Sequence, residues 1–249
     1  MKTKYFILLF LTIPLFVKAQ NIVATYKVSQ DIFGSWQQFE KKKIATLESK
    51  GFFYKKANEY LYFEKPSYLS QYPNGQIELK PFNYNVQICM DSVQRLSYVN
   101  MDSLVRIYRA HTVGTGKVDF NFKQRFPIDY FEWEFFNETK DVNGLKCQKA
   151  QLKIKGNLQW VVWFAPSIPT QAGIRNIIGL PGLVVSAEHI PINAKYELLS
   201  YTIGTEINDQ IFEPKEFSQP YSNMPDLKKG AGLNGEKSKI QKQAEISNQ

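Results

Sequence analysis

Along most of this chain apolar and polar side chains alternate one by one, which is the period of a strand with one buried face. Positions 131–136 show it plainly: Phe131, Trp133 and Phe135 share one face, Glu132 and Glu134 the other. The same period predicts strands over 22–29, 43–49, 52–55, 59–63, 68–73, 85–90, 96–101, 104–110, 118–123, 183–190 and 194–203. Gly51 separates two of them, Pro73-Asn74-Gly75 and Gly114-Thr115-Gly116 are turn signals, and Asn143-Gly144 tolerates the positive φ of a tight hairpin turn. Segments 147–155 and 158–164 read as the arms of a hairpin around Gly156-Asn157. With that loop, Ala150, Leu152, Ile154, Val161 and Trp163 share a face, and Lys149, Gln151 and Lys153 share the other with Trp160, Val162 and Phe164. Lysine stems can lie over aromatic rings with their ammonium groups in water, so the second face reads as a semi-exposed apolar surface.

Helical periodicity is weak and confined to 35–44 and 236–246, the latter within a polar tail, 226–249, whose composition is that of a disordered end. No linker or repeat divides the body. The expected fold is mainly β: one domain over 20–225, built on a twisted, curved antiparallel sheet or half-barrel with few helices.

The N-terminus departs from this pattern. Lys2 and Lys4 precede an apolar run from 5 to 17, and Val17 and Ala19 stand at the minus-three and minus-one positions of a cleavage site. This is the layout of a secretory signal peptide, and the run falls short of the about 20 apolar residues that span a bilayer. The competing reading is a retained anchor. Loss of residues 1–19 leaves 230 residues, removes three lysines and lowers the net charge from +8 to +5.

Composition sharpens the picture. Aromatics make up 14% of the 249 residues, with 18 Phe and 14 Tyr, which excludes a disordered chain. Two Cys and two His exclude a zinc-finger array and a disulfide-dense miniature fold. In an oxidising compartment Cys89 and Cys147 become a candidate disulfide, worth about 4 kcal/mol in the chain-entropy model; a reactive thiol is the alternative. The residual charge, spread along an exported chain, suits anionic lipid or polysaccharide better than nucleic acid.

One segment is more specific. Leu180-Pro181-Gly182-Leu183 fits a type II turn, with Pro181 presetting its φ, Gly182 accepting a positive φ, and Leu180 and Leu183 anchoring the corner in the core. Gly179-Leu180-Pro181-Gly182-Leu183-Val184 resembles the Gly-Leu-Pro-Gly-Leu-Ile signature of the GLPGLI family. The resemblance continues upstream through Trp133, Glu138-Thr139-Lys140, Gly144, Lys146-Cys147-Gln148-Lys149-Ala150 and the run Trp163-Phe164-Ala165-Pro166-Ser167-Ile168-Pro169, so it covers about 118–190. Val184 replaces the usual Ile, and Gly173-Ile174 stands where Gly-Pro is frequent. The resemblance implies an exported envelope protein of Gram-negative bacteria, periplasmic or secreted, and it carries over no catalytic residue. The layout is also similar to the half-barrel of periplasmic lipoprotein carriers, an analogy of fold alone.

Catalytic patterns are not found. His111 and His189 have no metal-ligand spacing to carboxylates, no G-x-S-x-G surrounds a serine, and no nucleotide-binding glycine loop is present. Glu132, Glu134, Glu138 and Asp141 read as a solvated strand face. The expectation is a non-enzymatic protein without cofactor. It would bind a lipid, an acyl chain or a hydrophobic peptide on a concave sheet face lined by Trp133, Trp160 or Trp163, and Phe164. The alternative is an accessory or scaffold protein of an outer-membrane or secretion complex, acting through a sheet edge.

Overall fold

A computed structural model describes residues 20–33, 42–79, 84–111, 119–218 and 221–227. The expected signal peptide, the helix candidate at 35–44 in its greater part, the Gly114-Thr115-Gly116 turn and the tail helix lie outside these residues.

Among the described residues fourteen strands form: β1 (Ile22–Phe33), β2 (Lys43–Lys56), β3 (Glu59–Pro66), β4 (Gln76–Leu79), β5 (Tyr84–Gln87), β6 (Gln94–Asn100), β7 (Val105–His111), β8 (Asp119–Arg125), β9 (Trp133–Val142), β10 (Leu145–Ile154), β11 (Asn157–Ala165), β12 (Leu183–His189), β13 (Ala194–Ile203) and β14 (Tyr221–Asn223). Twelve join one open sheet in the order β14-β8-β7-β6-β3-β2-β1-β13-β12-β11-β10-β9, and β4 and β5 form a separate hairpin. Every pairing is antiparallel except β14 with β8. Among the described residues helix is limited to short 3-10 turns.

Gly51 does not break a strand. β2 runs through it, because a side chain there would meet the Tyr62 hydroxyl at 2.7 Å, and glycine leaves that space open. The expected strand at 68–73 is instead a 3-10 turn, Tyr68–Ser70, with the Tyr68 ring buried and its hydroxyl donating to the Cys89 carbonyl.

The sheet is strongly curved, and the segment 166–182 shows by how much. Between β11 and β12 the chain leaves the sheet and crosses its concave side. Gln171 N–H donates to the Tyr60 hydroxyl on β3, and Trp133 Nε1 on β9 donates to the Ile178 carbonyl. Six strands lie between β3 and β9. In a flat sheet those seven steps would separate them by about 34 Å. Ala172 and Ile178 are themselves paired across a β-bridge, so the two contact points are neighbours. Only a sheet curled around this segment brings Tyr60 and Trp133 to it.

The main core fills that curl. Ile22, Tyr26, Phe53, Tyr62, Leu152, Val162, Phe164 and Tyr196 pack there against Ile174, Ile177, Ile178 and Leu180 of the crossing segment. The 3-10 turns Asp209–Phe212 and Lys215–Ser218 bring Phe212 and Phe217 onto Leu61 and Leu96 in a second cluster. The β4–β5 hairpin packs Ile77 beside Leu47 and Tyr68 in a third.

Candidate functional site

The hairpin expected to carry an apolar surface forms with its register moved. Lys155 and Gly156, at φ of 52° and 78°, are the loop, and Ile154 pairs with Asn157. A bulge after Leu152 then sets Ala150 opposite Val162 and Lys149 opposite Trp163. A one-residue slip exchanges the faces of a strand. Trp160, Val162 and Phe164 therefore join Ala150 and Leu152 in the core, and Trp163 turns to the other face. Trp133 is also buried, with its indole N–H committed to Ile178. The four aromatics do not form one open surface. The lysines do cover rings, but on the outer face: Lys140 Nζ lies 4.2 Å from the Trp163 ring centre and Lys149 Nζ 5.2 Å from that of Phe136.

The Gly-Leu-Pro-Gly-Leu corner also differs from a type II turn. Gly179, not Gly182, has the positive φ, at 87°. A Cβ on Gly182 would stand 2.4 Å from the Ala165 carbonyl oxygen, so this glycine permits a backbone crossing. Leu183 N–H donates to the Ile168 carbonyl, and Leu180 and Leu183 are buried while Pro181 is exposed. The corner anchors the end of the crossing segment.

Cys89 and Cys147 do not form the expected disulfide; both thiols are free. Cys147 is fully buried on β10, its thiol donating to the Leu145 carbonyl at 3.3 Å. Cys89 lies between β5 and β6. Burial pushes both thiols up, which keeps them protonated and unreactive.

Cys89 instead lines a cavity of about 490 Å³ within the curl. Gln94, Arg95 and Leu96 of β6 and Arg106, Tyr108 and Arg109 of β7 form one wall. Leu152 and Ile154 of β10, Trp160 of β11 and His189 of β12 form the facing wall, and Phe131, Arg175 and Ile177 close it. The cavity has an apolar side and four guanidinium groups.

Those cations are unequally neutralised. Arg95 Nε lies 3.4 Å from Glu64, and Arg109 lies 3.2 Å from Asp91. Arg106 and Arg175 form no salt bridge among the described residues. Arg106 Nε donates to Gln124 Oε1 at 3.0 Å, and its guanidinium lies over the Tyr108 ring. Arg175 Nη1 donates to the Tyr196 hydroxyl and to His189 Nδ1, each at 3.0 Å. Since arginine only donates, Nδ1 is the acceptor and the histidine proton sits on Nε2. The imidazole stacks on Trp160 with ring centres 4.2 Å apart and planes 7° from parallel. Burial, then the Arg175 and Arg95 charges, push its pKa down to about 3. His189 is thus a neutral support for Arg175.

Behind this layer lies Glu64, 2% exposed, accepting from the Tyr62 hydroxyl at 3.1 Å. Burial raises its pKa, against the pull of Arg95 and Arg175. Arg95 and Arg175 also hold left-handed backbone angles, φ 53° and 46°. Such angles cost a bulky residue about 1–2 kcal/mol, and strain of this kind gathers where side chains must be aimed.

Comparison with known proteins adds little. No family model and no curated protein matches the chain. Two solved structures of PNGF-II, in space groups P21 and C2, superpose with TM-scores of 0.46 and 0.43 at 13% and 15% identity. They cover 83% and 85% of this chain, which spans 32% and 31% of theirs. Likeness at that level assigns no activity. The described residues contain no cluster of His, Cys, Asp and Glu able to hold a metal ion, and no helix among them is long and apolar enough to cross a membrane.

Of the site residues, sequence reasoning singled out Trp160, Cys89 and His189, but not what joins them. The four arginines are scattered from 95 to 175 and come from two strands and a loop. The one local signal is Arg175 itself, a lone cation among Ile174, Ile177 and Ile178.

Proposed function

We propose that this chain is a binding protein of the cell envelope, of the GLPGLI type and exported by its N-terminal segment, which holds an amphipathic anion in the arginine-lined cavity. The observation that carries this reading is the pair of guanidinium groups, Arg106 and Arg175, that face a concave cavity with no carboxylate of their own. Both guanidinium groups are half-buried and give their hydrogen bonds to neutral partners, with Glu64 acting on Arg175 only through space, so donors and positive charge are left for a ligand anion. Phe131, Leu152, Ile154 and Ile177 offer the other end of the ligand an apolar wall. The ligand class is an acyl or alkyl body ending in phosphate, sulfate or carboxylate. In this reading the aromatics pack the core and the arginines confer selectivity, so the ligand is narrower than the lipid, acyl chain or hydrophobic peptide expected on the hairpin face.

The test is binding of octyl phosphate against the neutral octyl glucoside, followed by Trp fluorescence and calorimetry. Octyl phosphate binds, octyl glucoside does not, and added salt weakens the complex. Equal binding of both would show that the arginines play no part.

A further inference from the structure

The crossing segment that closes the arginine cavity also walls a second one, of about 400 Å³, on its other side. Alternation along β2 turns Gly51, Phe53 and Lys55 to the concave face and Phe52, Tyr54 and Lys56 away from it. A lysine in that row is anomalous, since lysine is almost never fully buried unless paired. Lys55 is 6% exposed. Its Nζ donates to the Gln20 carbonyl at 2.9 Å, and no carboxylate pairs with it among the described residues. An ammonium group has three protons to donate, and one such bond leaves two. Its neighbour Lys56, on the outer face, has the usual acidic partner in Asp209.

Two further donors line the same cavity. Thr170 is 4% exposed, and among the described residues no side-chain hydrogen bond engages its hydroxyl. The Tyr60 hydroxyl accepts from Gln171 N–H, which leaves its own proton to give. Ile22, Ile168 and Pro181 supply apolar walls. An ammonium without a counter-charge, two hydroxyl protons and an apolar wall suit a carboxylate on an apolar body. We infer that the Lys55 cavity is a second binding site, for a small apolar carboxylate. It is independent of the arginine cavity: its residues belong to β1, β2, β3 and the outer flank of the crossing segment.

The test reads Lys55 directly. In protein labelled with 13C-lysine, the Cε signal of Lys55 is the one lost in Lys55→Met, or in Lys55→Arg should the methionine variant not fold. Octanoate shifts that signal saturably, octanol at the same concentration leaves it in place, and Thr170→Val raises the octanoate concentration needed by about tenfold. A Lys55 signal that ignores octanoate, or answers octanol equally, would overturn the site and leave Lys55 as a tether for the backbone at Gln20.

Discussion

Single residues in this protein carry conflicts that the surrounding structure settles. His189 is neutral because burial and two arginine charges oppose its protonation, while its stack on Trp160 and its bond from Arg175 hold it in place. A base whose pKa falls from 6.5 to about 3 on folding leaves stability unchanged above pH 6.5. Below that pH the unfolded chain takes up the proton first, so stability is lost progressively toward pH 3. Glu64, raised by burial, works in the opposite sense at the acid end. Urea unfolding between pH 7 and 4 is expected to show a steeper acid-side loss for the wild type than for His189→Gln, and the His189 ring signals should not titrate above pH 4. The corner glycines yield a second residue-scale prediction. Gly179 serves a positive φ with ordinary contacts around it, whereas Gly182 serves a backbone crossing. Asparagine tolerates positive φ, so Gly179→Asn should cost under about 1 kcal/mol. Gly182→Ala should cost about 1–3 kcal/mol or more, since the atom in the way is backbone and cannot move aside. Chemical denaturation of the two variants separates the roles. The sequence showed the glycines but assigned positive φ to the wrong one, because the crossing of residues 165 and 182 is tertiary.

At the scale of elements, the period of the side chains was a good guide and the turn chemistry a partial one. The strand at 194–203 forms over those residues, and the Asn143-Gly144 turn has both φ values positive, as the dipeptide suggests. The β10–β11 hairpin shows the limit. Its sequence offers Gly156-Asn157 as the turn, yet the structure uses Lys155-Gly156 and places a lysine at φ 52°. Burial of Trp160, Val162 and Phe164 outweighs the unfavourable turn residue, since the other register would expose all three. Lys155→Asn should therefore stabilise the protein by about 0.5–1 kcal/mol without altering the register, measured as a raised denaturation midpoint with unchanged slope. The end strand β9 presents Glu134 and Glu138 to Lys153 and Lys149 of β10 across the pair. Charges along an end strand discourage pairing with a further strand, which weighs against a scaffold role through that edge.

At the scale of the whole molecule, alternating strands announce a mainly β protein, and the aromatic content announces its large core. The crossing segment was legible only as a stretch rich in Pro and Gly; its position inside the curl depends on contacts with Tyr60 and Trp133, some 110 and 45 positions away. For the same reason the arginine cluster is invisible along the chain. Its electrostatics make a prediction of their own. Glu64 partly offsets the cluster, so Glu64→Gln should tighten anion binding where Glu64 is ionised, and its advantage over the wild type should shrink as acid protonates Glu64, as read by titration calorimetry. On the proposed reading, Arg106 and Arg175 recognise an anion within the curl. Titration of octyl phosphate into the wild type and Arg106→Gln tests it most directly, since the substitution removes a guanidinium with no acidic partner. The wild type should bind, and the variant should lose at least about tenfold in affinity, as for a hydrogen bond to a charged group. Equal affinity of the two proteins, or no binding to either, would contradict it.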